Sequence, residues 1–401
     1  MNMALENKTI IDSVVEEKEY LVSTRRHLHE NPELSGVEYE TSKFLKNECE
    51  KLGLDIHDVD GTGFYAILDT GREGKTIGLR ADIDALPVKE NDLNLKNTRV
   101  CKSKVDGVFH ACGHDGHMAI SLATARILVK HKDKFSGKII FIFEEGEETG
   151  VGIEKMIKAL EKEKIDAFYS NHLVSFLETG KIYIGDGPVM AGCAMVDFTV
   201  KGKGGHGSRP DLSISPIFAA ANVLTGLASA WANRVDVTKT VTLGLGSING
   251  GSAPNVIPDS VNITGTLRYF DLEEGNKAVE ILKKVGRLTT EAHDCEFIAN
   301  NISVVASPVI NDLELAKLAR KSISSVLGDN YLAYDSNWFA SESFSRYGSL
   351  APSLFALVGT KSDIVGSGAE HHNEYFDIDE ESLYYATCSM VKFASEFLNS
   401  N

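Results

Sequence analysis

The sequence predicts an α/β fold: a larger domain on a largely parallel central sheet, with a smaller α+β domain inserted into it. Three observations carry the prediction. Continuous apolar runs alternate with helical stretches through the first half of the chain. The pattern changes to half-exposed alternation near residue 190, and helix and strand signals resume after Pro308. At 401 residues and 43% hydrophobic content, the chain is long enough to bury two cores.

The elements follow in order. Ile11, Val14, Val15, Leu21, Val22 and Leu28 recur at helical spacing and predict one opening amphipathic helix that stops at Asn31 and Pro32. After a second helical stretch come FYAILD (64–69) and TIGLRADID (76–84), both strand-like. His110 to His117 precede an apolar helix, and IIFIF (139–143) then ends abruptly in glutamates. Such a run between two helical segments suits a parallel strand covered on both faces. A helix at about 151–163 and the strand DAFYSNH complete the alternation.

Between 190 and 305 the order is β-α-β-β-α-β, that of a ferredoxin-like module. The expected boundaries are therefore 1–189 and 306–401 for the two parts of the larger domain, and 190–305 for the insertion. SLFALVG (353–359) is expected to rejoin the first sheet.

Charge and cysteine usage narrow the function. A formal net charge of -16 excludes a general nucleic-acid binder, which needs clustered Lys and Arg. No stretch is long and apolar enough to span a bilayer, and MNMALENKTI lacks the layout of a secretory signal, so a cytoplasmic protein without membrane partners is expected. Six cysteines without paired spacing read as reduced thiols.

Two clusters carry chemistry. FHACGHDGHMA sets Cys112 and His114 two residues apart just before a helix, whose amino terminus favours a thiolate; thiolate and imidazole suit a borderline metal such as zinc. A core cysteine with histidines in a solvated turn is the structural alternative. FEEGEETG crowds Glu144, Glu145, Glu147 and Glu148 at the end of an apolar strand. A solvated loop is the ordinary reading of such a run, but strand carboxyl ends are where open parallel sheets bind ligands. Asp82, Asp84 and His172 fall at similar ends, and His371 and His372 lie near the carboxyl terminus.

These motifs, with RRHLHENPELSGVEYETSKFL, GLRADIDALPV, KGKGGHGSRPD, GGSAPNVIPDSVNITGTLR and HHNEYFDIDEESL, resemble the M20 metallopeptidase and amidohydrolase family, in particular its hippurate hydrolase and auxin-conjugate hydrolase branch. The resemblance implies a dinuclear-metal catalytic domain and a smaller lid domain that takes part in forming a homodimer or higher homo-oligomer. It implies Cys112 as a ligand bridging two divalent metal ions, zinc or manganese with cobalt also admitted, and His114, Glu148, His172 and His372 as the other ligands. It implies Glu147 as general base, His206 as the group holding the carbonyl oxygen, and Asn255 and Arg268 as substrate-binding residues. His206 and Asn255 have turn-forming alternatives, and Arg268 that of pairing with an acidic neighbour.

The implied reaction is hydrolysis of the amide bond of an N-acyl amino acid. A dipeptidase or a deacetylase of an amino-acid precursor would use the same machinery, and a metal-dependent binding protein is the reading from another class. Glu144, Glu145 and Gly146 stand where the family has Gln-Pro-Ala, and the added charge is expected to disfavour acidic substrates.

Overall fold

The computed structural model describes residues 5–400. They form two compact units. One takes the chain up to Gly187, Ile310–Ser336 and everything from Arg346 onward; the other takes Pro188–Val309 and Asn337–Ser345.

The first unit is organised by an eight-stranded sheet in the order Asp55–Asp58, Phe64–Asp69, Lys138–Glu144, Thr76–Asp82, Ala167–Glu178, Ser353–Lys361, Ile182–Tyr183, Leu332–Ala333. From Lys138–Glu144 to Ser353–Lys361 the four central strands run parallel, whereas the first two strands are antiparallel additions. Thr76–Asp82 is buried along its whole length, with helices His114–Lys130 and Glu381–Asn399 packed on it.

Register decides what the strand ends present. Asp82 pairs with Glu144, and Arg80 pairs with Ile142 on one side and Ser170 on the other. His172 lies two residues beyond Ser170, so Asp82, Glu144 and His172 reach one level at the carboxyl ends of adjacent strands.

The opening segment differs from expectation. It is two helices, Asn7–Glu16 and Lys18–Glu30, because Glu17 leaves helical geometry with ψ 0°. At that break the Glu17 carboxylate accepts from Arg126 Nε at 2.6 Å, which ties the joint to the buried helix. Ile10, Val14, Leu21 and Leu28 reach the core, while Val15 stays exposed.

The second unit follows the order strand Gly192–Lys201, helix Pro216–Arg234, strands Val241–Asn249 and Ser260–Tyr269, helix Leu272–Glu291 and strand Glu296–Ala306. Its sheet runs Val241–Asn249, Ser260–Tyr269, Gly192–Lys201, Glu296–Ala306, with all neighbours antiparallel. Phe198, Val223, Leu227, Ile263, Leu267 and Leu282 belong to its own core. Asn337–Ser345, read from the sequence as part of the first domain, clusters with this unit. The reason is backbone pairing: Trp338 N–H donates to the Val189 carbonyl at 2.9 Å, and Ala191 N–H donates to Trp338 and Ala340. Among the described residues no helix is long and apolar enough to cross a membrane.

Close packing in the first sheet makes one position sensitive. A Cβ on Gly78 would lie 2.5 Å from Phe168 Cδ1 and 3.1 Å from Ile142 Cδ1. Gly78→Ala is expected to destabilise the protein by about 1–3 kcal/mol through overpacking. Urea unfolding would show this as a lowered midpoint; an unchanged midpoint would mean that the sheet has slack there.

Candidate metal centre

Three chain segments bring their side chains to the level set by the strand register. The first is the turn into helix His114–Lys130. Gly113 stands before that helix at φ 85°, a conformation that costs glycine little, and the turn leaves Cys112 and His114 buried. The second follows Lys138–Glu144, where Gly146 at φ 58° turns the chain so that Glu147 and Glu148 open a short 3-10 turn. The third is residues 371–376, where His372 itself has φ 60°.

Donor atoms fall into two groups that share one sulfur. Cys112, His114 and His172 place one ligand-type atom each within 4.8 Å of one another, and so do Cys112, Glu148 and His372. His114, Glu147 and Glu148 form a further such set, as do Asp82, His114 and His117. His172 Nε2 is 3.6 Å from Cys112 Sγ. His372 Nε2 is 3.2 Å from Glu148 Oε1.

Hydrogen bonds orient the imidazoles so that one nitrogen of each is left for the cluster. His172 Nδ1–H donates to the Leu173 carbonyl at 2.8 Å, which directs Nε2 toward Cys112. His114 Nδ1 lies 2.9 Å from the Asp84 carbonyl and 3.1 Å from its carboxylate Oδ1, so it carries the proton and donates to them. His114 Nε2 is buried with no hydrogen-bond partner, and Glu148 Oε1 has its 3.2 Å ion-pair contact with His372 Nε2. An unpartnered buried polar atom is costly, and both atoms face the same space as a thiol and a second imidazole. That donor set fits a divalent cation of borderline character. His371, by contrast, gives Nε2–H to the Leu173 carbonyl at 3.0 Å and does not join either group.

Electrostatics are dominated by burial. Burial pushes the Cys112 thiol well above its ordinary value, and Glu148 adds to the shift. Burial, then His117 and His371, hold His172 well below the usual histidine range, which keeps it a neutral imidazole. Burial also opposes a charge on His114, but Asp82 and Asp84 overcome it and raise that group.

Sequence reasoning missed the supporting layer. Asp84 receives, besides His114, the Ser35 hydroxyl at 2.6 Å and the Glu148 N–H at 3.0 Å, and so joins three segments. Arg80 donates from Nη1 to Asp82 at 2.8 Å and from Nε to Glu144 at 2.9 Å, and Tyr347 O–H donates to the same Glu144 oxygen at 2.7 Å. An arginine inside an otherwise apolar buried strand was the available signal, since such a charge requires partners. Glu145 lies against Lys155 Nζ at 3.3 Å. Glu144 and Glu145 are therefore partnered.

The remaining predicted residues lie in the second unit. His206 pairs with Val256 in a two-stranded ribbon, which brings Asn255 beside it, and His206 Nδ1 accepts from the Ser208 hydroxyl at 2.8 Å. Arg268, on Ser260–Tyr269, is half-buried and donates from Nη1 to Ser341 Oγ at 3.2 Å. It makes no ion pair among the described residues.

A mainly parallel α/β sheet with thiol, imidazole and carboxylate donors converging at its strand ends defines the class of protein: one built around a candidate metal site. The chain belongs to peptidase family M20/M25/M40, whose profile matches residues 78–396. It is 32% identical to thermostable carboxypeptidase 2 of Saccharolobus solfataricus, over 97% of this chain and 98% of that protein. It is 33% identical to N-acetyl-L-cysteine deacetylase of Bacillus subtilis, over 95% and 89%. A Bacillus subtilis crystal structure described as a dinuclear metal binding peptidase from the M20 family superposes with a TM-score of 0.82 at 29% identity, covering 96% of this chain and 99% of that one.

The Arg80 cluster gives a direct test. Its side chain and those of Asp82 and Glu144 are fully buried, so Arg80→Met removes the one guanidinium that both carboxylates share. A loss of about 3–5 kcal/mol is expected for a broken buried pair. Equal urea midpoints for variant and parent would refute the assigned role.

Proposed function

We propose that this chain is a two-metal hydrolase of N-acyl amino acids, with Cys112 shared between two divalent ions, His114 and His172 completing one position and Glu148 and His372 the other. The observation that carries the reading is the pair of donor groups meeting at one sulfur, with His114 Nε2 buried and without a hydrogen-bond partner. What such ions supply when bound is Lewis acidity, which polarises an amide carbonyl and acidifies water toward neutral pH.

The protein's own residues do the rest. Glu147 stands beside the ligand-type Glu148 and is assigned as general base: it takes a proton from the attacking water and returns it to the departing amine nitrogen. His206 is assigned to hold the carbonyl oxygen as it becomes negative, and Asn255 to bind substrate. Arg268, a guanidinium without an acidic partner, is assigned to the substrate carboxylate, which it would grip by two parallel hydrogen bonds. This choice favours acyl amino acids over simple amides. Peptide cleavage is the second reading, favoured by the carboxypeptidase relative.

The proposal also includes self-association through the second unit. Supporting it are Ile217 and Phe218, apolar side chains exposed at 47% and 71% near the start of helix Pro216–Arg234. A cytoplasmic setting fits six buried cysteines, all free.

Released amine from a panel of N-acyl amino acids and dipeptides tests the reaction. Turnover of acyl amino acids is expected; turnover of dipeptides alone would establish the second reading, and silence with metal bound would leave a binding protein. Glu147→Gln should keep its metal and lose at least about 10²-fold in kcat, whereas Cys112→Ala should lose metal as well. A fully active Glu147→Gln would sink the base assignment. Elemental analysis of protein purified without added metal decides among zinc, manganese and cobalt.

A further inference from the structure

We propose that Arg99 is a positioning residue for His372, and that it controls occupancy of one metal position without the other. The inference rests on the ligand assignment above. Arg99 has a side chain only 1% exposed, yet its guanidinium is spent mainly on backbone. Nη1–H donates to the Phe376 carbonyl at 2.7 Å, Nη2–H to the Glu374 carbonyl at 2.8 Å, and Nε–H to the Asn91 carbonyl at 2.8 Å. Glu90 and Asp377, at 3.4 and 3.5 Å, compensate its charge. Asn94 Nδ2–H donates to Asp377 Oδ2 at 3.0 Å and closes the clamp. The other end of the same turn is fixed by His372 N–H, which donates to the Ala111 carbonyl, one residue before Cys112, at 2.9 Å.

His372 needs this support because its side chain has only the 3.2 Å contact of Nε2 with Glu148 Oε1 to direct it. It is 51% exposed, so packing does not set its direction. Its backbone is left-handed at φ 60°, a conformation that a residue with a Cβ keeps only where its surroundings over-determine it. The direction of its imidazole is therefore inherited from the turn, and the turn is held by Arg99. His114 and His172 differ: both are buried, and Asp84 and the Leu173 carbonyl orient them directly. Glu148 is tied through its N–H to Asp84. Loosening the turn should thus weaken the Glu148–His372 position and leave the His114–His172 position intact.

The test is calorimetric titration of metal-free protein with zinc, and separately with cobalt followed by absorption. Arg99→Lys keeps the charge but lacks the planar fork that reaches three carbonyls. One position is expected to bind as in the parent and the other to weaken roughly tenfold or more, the usual effect of removing a ligand's support. Equal weakening at both positions, or none at either, overturns the proposal. His372→Ala is run beside it. If His372→Ala retains both positions unchanged, the ligand assignment itself fails; if it loses one position while Arg99→Lys loses neither, the assignment stands and the positioning role falls. Should Arg99→Lys not fold, Asn94→Ala takes its place, since it frees Asp377 from the same clamp. A selective weakening of one position supports the proposal, and a titration identical to the parent's overturns it.

Discussion

The first unit depends on compensating charge where its parallel strands end. Three adjacent strands pointing the same way deliver Asp82, Glu144 and His172 to one level, inside protein rather than in water. Carboxylates buried this way survive only with cations or donors against them. Arg80 supplies two of those contacts from within the sheet, and His117 Nδ1–H supplies another to Asp82 at 2.6 Å. With these acids satisfied, His114 Nε2 is left buried without a hydrogen-bond partner. The fold and the candidate site are in this sense one electrostatic solution.

Periodicity in the sequence made the central strands legible, because a strand covered on both faces has to be apolar throughout. FYAILD and IIFIF lie within Phe64–Asp69 and Lys138–Glu144. The opening helix shows the limit of the same method: a spacing of seven residues from Val14 to Leu21 continues across Glu17 as readily as through an unbroken helix, and the contact of Glu17 with Arg126 at the joint comes from far along the chain. Asn337–Ser345 escaped for a similar reason. Its place follows from backbone hydrogen bonds to Val189 and Ala191, and backbone groups leave no trace in a pattern of side chains.

The candidate site was legible by residue type and position. Histidines, a cysteine and paired glutamates at strand ends stood out, and the choice of His372 over His371 came from the family resemblance; the geometry has His372 beside Glu148 and His371 hydrogen-bonded to Leu173. What stayed hidden was the set of contacts that aim those groups. Asp84 was visible as an acid at a strand end, but not as the acceptor joining Ser35, His114 and Glu148. The family match over residues 78–396 agrees with the motifs, and the relatives include proteins named for cleaving both peptides and acyl amino acids.

The hydrogen bond from His372 to Ala111 has a consequence in time. A ribosome releases the amino-terminal part of a chain first, and folding begins there. Cys112, His114, Glu148 and His172 are all made well before the turn that bears His372, so the growing chain passes through a stage with an incomplete set of donors. Closure must wait for the last stretch of synthesis and then span most of the polypeptide, a slow, long-range event. Until then the candidate metal centre is unfinished.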